Sequence, residues 1–159
     1  MNVTSNMGKK DTGGLDNGAA LFRFFNEIAI IAQLSGTLLE SRMPHGLTLS
    51  QFSVLNHLVR LDIESTPHEI ARAMQVTKGA MTNTIKRLRE KGFVDVTPDA
   101  TDGRSKRVRV TDAGRLAREA SIASIIPEIL DLAKSVSAPD MIDALPLLEK
   151  VRRYLDEAR

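Results

Sequence analysis

The chain has 159 residues, 42% of them hydrophobic and 26% charged, a composition typical of one globular domain or one protomer of an oligomer. It contains no cysteine, which excludes disulfide bonds, thiolate metal sites and a redox-active thiol. The net charge of +2 is unevenly distributed, because residues 77–118 hold eleven lysines and arginines against five acids. This basic segment favours a polyanionic partner, and a solvated basic surface is the alternative.

The first eighteen residues are polar and rich in glycine, and they lack the apolar core of a signal peptide. We predict a disordered N-terminal tail over residues 1–18. The longest apolar run in the chain, residues 28–32, is far shorter than the roughly 20 residues that span a membrane. We therefore expect a cytoplasmic protein that does not bind membranes.

Residues 19–41 carry apolar side chains at the spacing of one helical face, with further apolar positions beside that stripe. A helix this broadly apolar needs packing partners on more than one side. We interpret residues 19–45 as a dimerisation helix.

Two capping boxes mark the next helices. Residues 48–51 (TLSQ) predict a helix that ends near Leu61, and residues 66–69 (TPHE) predict a shorter helix with proline at its first position. After a tight break, Thr77 caps a helix over residues 78–91. Two helices joined by so short a turn are typical of a helix-turn-helix.

The helix over residues 78–91 has one apolar face, formed by Met81, Ile85 and Leu88, and Gly92 ends it. A face of this kind packs against the core and leaves the remaining side chains exposed. The polar side chains opposite or beside this face are Lys78, Thr82, Asn83, Lys86 and Arg87.

From Phe93 onward the hydrophobic period changes from helical to two. Residues 93–97 and 107–111 are rich in β-branched side chains, and the second segment alternates arginine with valine. The polar segment between them carries basic residues. We predict a β-hairpin whose loop is too charged to enter the core.

Two further helices are predicted over residues 112–136 and 139–158. Pro127 is expected to kink the first of them, and Pro146 interrupts the last. Together with the N-terminal helix, they expose more apolar surface than one chain of this size covers. We interpret residues 112–159 as C-terminal dimerisation helices.

These elements form a mainly α-helical fold with a small β-hairpin: a winged helix-turn-helix over residues 46–111, flanked by N- and C-terminal dimerisation helices. A helix about 10–12 Å in diameter fits the major groove of DNA, where its polar side chains reach phosphates and base edges. A winged helix that docks other proteins is the alternative. The basic charge of the segment favours DNA.

Four motifs of the chain are residues 47–55 (LTLSQFSVL), 88–94 (LREKGFV), 102–105 (DGRS) and 108–114 (VRVTDAG). With these motifs the sequence resembles the MarR family of bacterial transcriptional regulators. The first two match the family's second helix and the end of its recognition helix. The last two match its D-x-R wing and the strand and helix start after it, although Val110 stands where leucine is more usual. Each match is weak alone, and together they are specific.

The resemblance extends over residues 20–157 and implies a homodimer whose terminal helices interleave at the two-fold axis. It implies double-stranded DNA of pseudo-palindromic sequence as the partner, with the recognition helix in the major groove and the wing in the minor groove. In the wing, Asp102 is expected to orient Arg104 by a charge-assisted hydrogen bond. The residues expected to bind DNA are Lys78, Thr82, Asn83, Lys86, Arg87, Asp102, Arg104 and Lys106.

Members of this family often bind small aromatic or phenolic anions between the dimer lobe and the DNA-binding lobe. The candidates for lining such a cleft here are Phe22, Phe25, Met43, His45 and His57. The residue types favour a simpler alternative, in which the phenylalanines belong to the core and the histidines to the surface. The three histidines lack the spacing of a metal site, so we expect neither a metal nor a cofactor.

We therefore predict a sequence-specific, dimeric transcriptional regulator, a repressor that a small-molecule ligand releases from DNA. The alternative is a winged-helix adaptor between proteins that has lost DNA binding. The chain is not expected to be an enzyme, because it has no cysteine nucleophile, no glycine-rich phosphate loop and neither an H-E-x-x-H nor a G-x-S-x-G motif.

Overall fold

A computed structural model describes residues 12–99 and 105–158 of the chain. Along these residues the elements are α1 (Thr12–Arg42), α2 (Leu49–Leu61), α3 (Pro67–Ala73), α4 (Lys78–Glu90), β1 (Val94–Pro98), β2 (Lys106–Val110), α5 (Asp112–Ser135) and α6 (Ala138–Glu157). They form two compact units, one made by α1 as far as Leu38 and the other by the chain from Leu39 onward.

The first unit is one long helix. It begins at Thr12 rather than at residue 19, so residues 12–18 of the predicted tail are helical, and residues 1–11 lie outside the described residues. A helix can extend through a segment without apolar periodicity, because each added residue gains a hydrogen bond once the helix is nucleated. Its large exposed apolar side chains are Leu21, Phe22, Phe25, Ile30, Ile31, Leu34 and Leu38.

The hydrophobic core of the second unit is formed mainly by α2, α3, α4 and the hairpin. Its fully buried side chains include Val54, Leu55, Leu58, Ile70, Met81, Leu88, Val94 and Val108. The predicted apolar face of α4 is confirmed, since Met81, Ile85 and Leu88 are all buried. Burial of each such side chain stabilises the fold by about 1.5–3 kcal/mol.

The predicted hairpin is present, with strand ends within one residue of those expected. β1 and β2 pair antiparallel, with Val94 opposite Val110 and Val96 opposite Val108. Ser65, in the segment before α3, adds a bridge to the other edge of β2. The Ser65 N–H donates to the Val108 carbonyl at 3.2 Å, and the Val108 N–H donates to the Ser65 carbonyl at 2.9 Å.

Local hydrogen bonds fix the helix ends where the sequence predicts them. Thr48 and Thr66 both form complete capping boxes, and Thr77 Oγ1 accepts the Ala80 N–H at 3.2 Å. After α4, Gly92 adopts the left-handed conformation with φ of 75°. A residue with a Cβ is strained in that conformation, which explains glycine at this helix end.

A close backbone contact joins the hairpin to α5. Thr111 Oγ1 donates to the Gly92 carbonyl at 2.7 Å and accepts the Gly114 N–H at 3.0 Å, while the Thr111 N–H donates to the Phe93 carbonyl at 3.1 Å. A Cβ on Gly114 would lie 2.1 Å from the Phe93 carbonyl oxygen. The glycine of the V-T-x-x-G sequence is therefore required by this contact.

The two C-terminal helices continue across their internal prolines, Pro127 in α5 and Pro146 in α6. No residue of α6 is buried, although the structure describes the whole helix. No helix in the described part of the chain is long and apolar enough to cross a bilayer. The strongly exposed large apolar side chains of α5 and α6 include Leu116, Ile129, Leu130, Leu132, Ile142, Leu145, Leu147, Tyr154 and Leu155.

Candidate nucleic-acid interface

The turn between α3 and α4 sets the angle at which α4 leaves the core. Gln75 adopts a left-handed conformation with φ of 53°, and the Val76 N–H donates to the Ala71 carbonyl at 3.1 Å. Thr77 then caps α4. Four residues, from Met74 to Thr77, thus separate the two helices, as expected for a helix-turn-helix.

The side of α4 opposite the core is polar and open to solvent. All five α4 residues predicted to contact DNA have exposed side chains. The Thr82 hydroxyl donates to the Lys78 carbonyl at 2.8 Å, which leaves its oxygen lone pairs able to accept a hydrogen bond from outside. Lys86 Nζ lies 3.8 Å from Glu90 Oε1, and both side chains are mostly exposed, so solvent screens this ion pair.

The basic segment contains two kinds of cation. Arg107, Arg109, Arg115 and Arg118 form ion pairs with acids of the second unit, and Lys91 Nζ donates to the His45 carbonyl at 2.6 Å. Apart from Lys91, whose hydrogen bonds go to backbone carbonyls, four described cations of the basic segment have no carboxylate partner: Lys78, Arg87, Arg89 and Lys106. These four lie on α4 and at the first position of β2, so the unneutralised charge is concentrated there.

A groove of about 210 Å³ runs between α4 and the hairpin. Its polar and cationic lining comes from Thr82, Lys86, Arg89 and Lys106. Arg89 was not among the residues predicted from the sequence. It lies three residues after Lys86 and seven after Thr82, a spacing that places the three side chains on one helical face, so helical periodicity alone could have identified it.

The wing is described only at its base. Lys106 is exposed and lies opposite Pro98 at the end of the β-ladder. The predicted pair Asp102 and Arg104 lies outside the described residues.

The residues predicted to line a ligand cleft are divided between the two units. Phe22 and Phe25 belong to α1 and are 74% and 46% exposed. Met43 is buried in the core of the second unit. The structure therefore does not bring Met43 to a solvent-accessible surface.

The two candidate histidines of the second unit differ in environment. His45 is exposed, with φ of 61°, and its ring meets the Phe93 ring edge-on at 5.8 Å. His57 is half-buried on α2, and burial, with the nearby Arg60 charge, lowers its pKa. Both effects favour the neutral form of the His57 imidazole. Within the described residues, no three His, Asp or Glu side chains are grouped closely enough to hold a metal ion.

Comparison with known proteins agrees with this description. A model of the MarR family matches residues 45–105. The reduced form of MarR from E. coli is 30% identical, with a TM-score of 0.69 over 79% of this chain and 93% of that chain. A single-residue mutant of the same protein, in complex with operator DNA, is 28% identical, with a TM-score of 0.66 over 83% and 95%. The transcriptional regulator BldR from Sulfolobus solfataricus is 22% identical and shares the fold, with a TM-score of 0.70 over 95% and 99%.

The capped helix pair, the paired hairpin and the long flanking helices define a winged helix-turn-helix regulator. The predicted fold class is thus confirmed. The chain belongs to the MarR family, which consists of transcriptional regulators and not of enzymes.

Proposed function

We propose that this protein is a homodimeric transcriptional repressor that binds a pseudo-palindromic DNA operator through α4 and the hairpin. One observation carries the proposal. Apart from Lys91, which donates to the His45 carbonyl, the cations of the basic segment that have no carboxylate partner among the described residues all lie on α4 or at the start of β2. A surface of this kind gains most from a ligand that brings its own negative charge.

The side chains of α4 suit the two tasks of DNA recognition. Lysine and arginine neutralise phosphates, which gives affinity for any sequence. Asn83 is exposed and uncharged, and asparagine can bond an adenine edge in the major groove with both its donor and its acceptor. We therefore assign Lys86 and Arg89 to phosphates and Asn83 to a base.

The dimer is supported by the terminal helices. α5 and α6 expose many large apolar side chains, among them Leu130, Ile142 and Leu155 at 60%, 62% and 52%. Apolar surface of this extent is typical of an oligomer interface. A two-fold dimer presents two copies of α4, so the operator should contain two half-sites whose centres are about 10 base pairs apart.

Selection of bound duplexes from a random DNA pool tests this function. We expect enrichment of one inverted repeat, and sedimentation of the complex should show two chains on each duplex. A protein adaptor without DNA binding would enrich no sequence. Such an adaptor would also be expected to present an apolar docking surface on α4, whereas the exposed face of α4 is polar.

We propose further that a small aromatic or phenolic anion releases the repressor from its operator and that the protein acts in the cytoplasm. His45 supports the ligand proposal, because its exposed ring stands beside the Phe93 ring. Titration of the operator complex with benzoate and with substituted phenols tests it. We expect weaker DNA binding in the wild type and a smaller effect in His45→Ala; an unchanged affinity at millimolar concentrations of every compound would contradict the proposal.

A further inference from the structure

The two arginines of β2, Arg107 and Arg109, each lie near two acidic side chains, but the acids differ in how far they are exposed to solvent. Arg109 lies between two acids, with Nη2 3.6 Å from Asp95 Oδ2 and Nε 3.8 Å from Glu64 Oε1. All three side chains are more than half exposed, at 61%, 54% and 51%. Ion pairs this open to solvent contribute little to structure.

Arg107, two residues earlier in the strand, has a partner of another kind. Its Nε donates to Asp99 Oδ2 at 2.5 Å, and the Asp99 side chain is only 7% exposed. A buried carboxylate is costly unless a cation or hydrogen-bond donors compensate it. The Arg107 guanidinium provides this compensation, and the hydrogen bond to Asp99 in turn raises the pKa of Arg107.

Asp99 holds the base of the wing together. Its backbone N–H donates to the Ser105 carbonyl at 2.9 Å, one step beyond the last strand pair, Pro98 with Lys106. The carboxylate of Asp99 therefore connects the point where the wing leaves β1 with the strand to which the wing returns.

A second acid, in the first turn of α3, lies near the same arginine and is more exposed than Asp99. Arg107 Nη1 lies 3.9 Å from Glu69 Oε2, and the same oxygen accepts the Thr66 N–H at 2.7 Å in the capping box of α3. Arg107 thus stands between the base of the wing and the first turn of α3. The Ser65–Val108 bridge lies beside it in the neighbouring position of β2.

We propose that Arg107 is a positioning residue for DNA binding, which fixes the base of the wing through the buried carboxylate of Asp99 and does not itself bind phosphate. The proposal rests on the DNA-binding function proposed above. Arg107 is then not available to neutralise a DNA phosphate, although it belongs to the basic segment. The proposal also makes the geometry at the base of the wing depend on one ion pair with a buried carboxylate.

Arg107→Gln and Arg109→Gln form a matched pair, because the same substitution is made on the same strand two residues apart. In Arg107→Gln, with folding checked by circular dichroism, we expect the affinity for the selected duplex to fall about tenfold. Its affinity for random-sequence DNA and the slope of log K against log salt should stay as in the wild type, because no phosphate contact is lost. Arg109→Gln should bind both DNAs within about twofold of the wild type.

The double variant Asp99→Asn with Arg107→Gln replaces the ion pair by a neutral amide pair of similar shape. We expect it to recover most of the loss on the selected duplex, since positioning acts through this contact. If Arg107→Gln does not fold, this variant carries the test, with near wild-type operator affinity and an unchanged salt slope as the expected result.

Either of two results with Arg107→Gln would overturn the proposal. One is operator binding equal to that of the wild type; the other is a loss on both DNAs with a salt slope lower by about one unit, which marks a direct phosphate contact. No recovery in the double variant would also overturn it. Failure of the proposed DNA-binding function can be distinguished from failure of the Arg107 proposal. In the former case the wild type itself would show no preference for a selected duplex over random DNA.

Discussion

Substitution of Gly114 by alanine tests the close backbone contact between the start of α5 and Phe93, the residue before β1. The new Cβ would lie 2.1 Å from the Phe93 carbonyl oxygen and 2.9 Å from Val110 Cγ2. Neither neighbour can move freely, because Val110 is buried and the Phe93 carbonyl accepts the Thr111 N–H. Overpacking costs about 1–3 kcal/mol, and displacement of the carbonyl adds about 1 kcal/mol for the hydrogen bond. Alanine recovers about 1 kcal/mol of helix propensity, so the free energy of unfolding should fall by about 1–3 kcal/mol.

Gly79 provides the matched control within the same domain. A Cβ built on Gly79 would meet no heavy atom within 4 Å beyond its chain neighbours and the backbone of its own helix, and Gly79 is exposed in the first turn of α4. Gly79→Ala should therefore raise the free energy of unfolding, by up to about 1 kcal/mol. Urea unfolding followed by circular dichroism measures both variants, at one protein concentration because the stability of a dimer depends on it. A Gly114→Ala protein as stable as Gly79→Ala would refute the contact.

Three further predictions concern DNA and pH. Asn83→Ala should relax sequence preference in a repeated selection, whereas Lys86→Ala should weaken binding to all sequences about equally; intact binding in both variants would mean that the wrong face of α4 has been assigned. Arg104→Ala should cost about 1–3 kcal/mol in operator binding and lower the salt slope by about one unit, without loss of stability; a wild-type slope would exclude the wing as a DNA contact. The pKa of His57 is lowered from 6.5, so below that pH the unfolded chain binds more protons than the folded protein. The free energy of unfolding should fall as pH decreases from 7 through 6.5, and it should fall less steeply in His57→Gln; equal slopes in urea titrations would contradict the assignment.

The features that the sequence predicts well are those fixed by local chemistry. Thr48 and Thr66 start their helices because each is followed three residues later by a side chain that completes a capping box. Gly92 ends α4 because it adopts a conformation that few other residues tolerate. The apolar face of α4 and the alternation in β2 follow from the helical and strand periods, which depend only on spacing.

The features that the sequence misses depend on contacts between distant segments or on strained backbone. Gln75 is left-handed in the helix-turn-helix turn, and nothing in its residue type indicates this. Arg107 and Arg89 are both arginines of the basic segment, yet one is paired with a buried acid and the other has no carboxylate partner among the described residues. Charge counting cannot separate them, because the partner Asp99 is identified only once β1 and β2 are in register.

The salt dependence of binding to the selected duplex tests most directly the claim that α4 and the start of β2 form the DNA-binding surface. The measurement compares the wild type with a variant in which Lys86, Arg89 and Lys106 are all replaced by glutamine. A dimer of this variant lacks three cations per subunit, and each phosphate contact contributes about 0.9 to the slope of log K against log salt. We predict a slope smaller by about two to five units, with the free energy of unfolding nearly unchanged, because the three side chains are exposed. A slope equal to that of the wild type would show that DNA binds elsewhere on the protein.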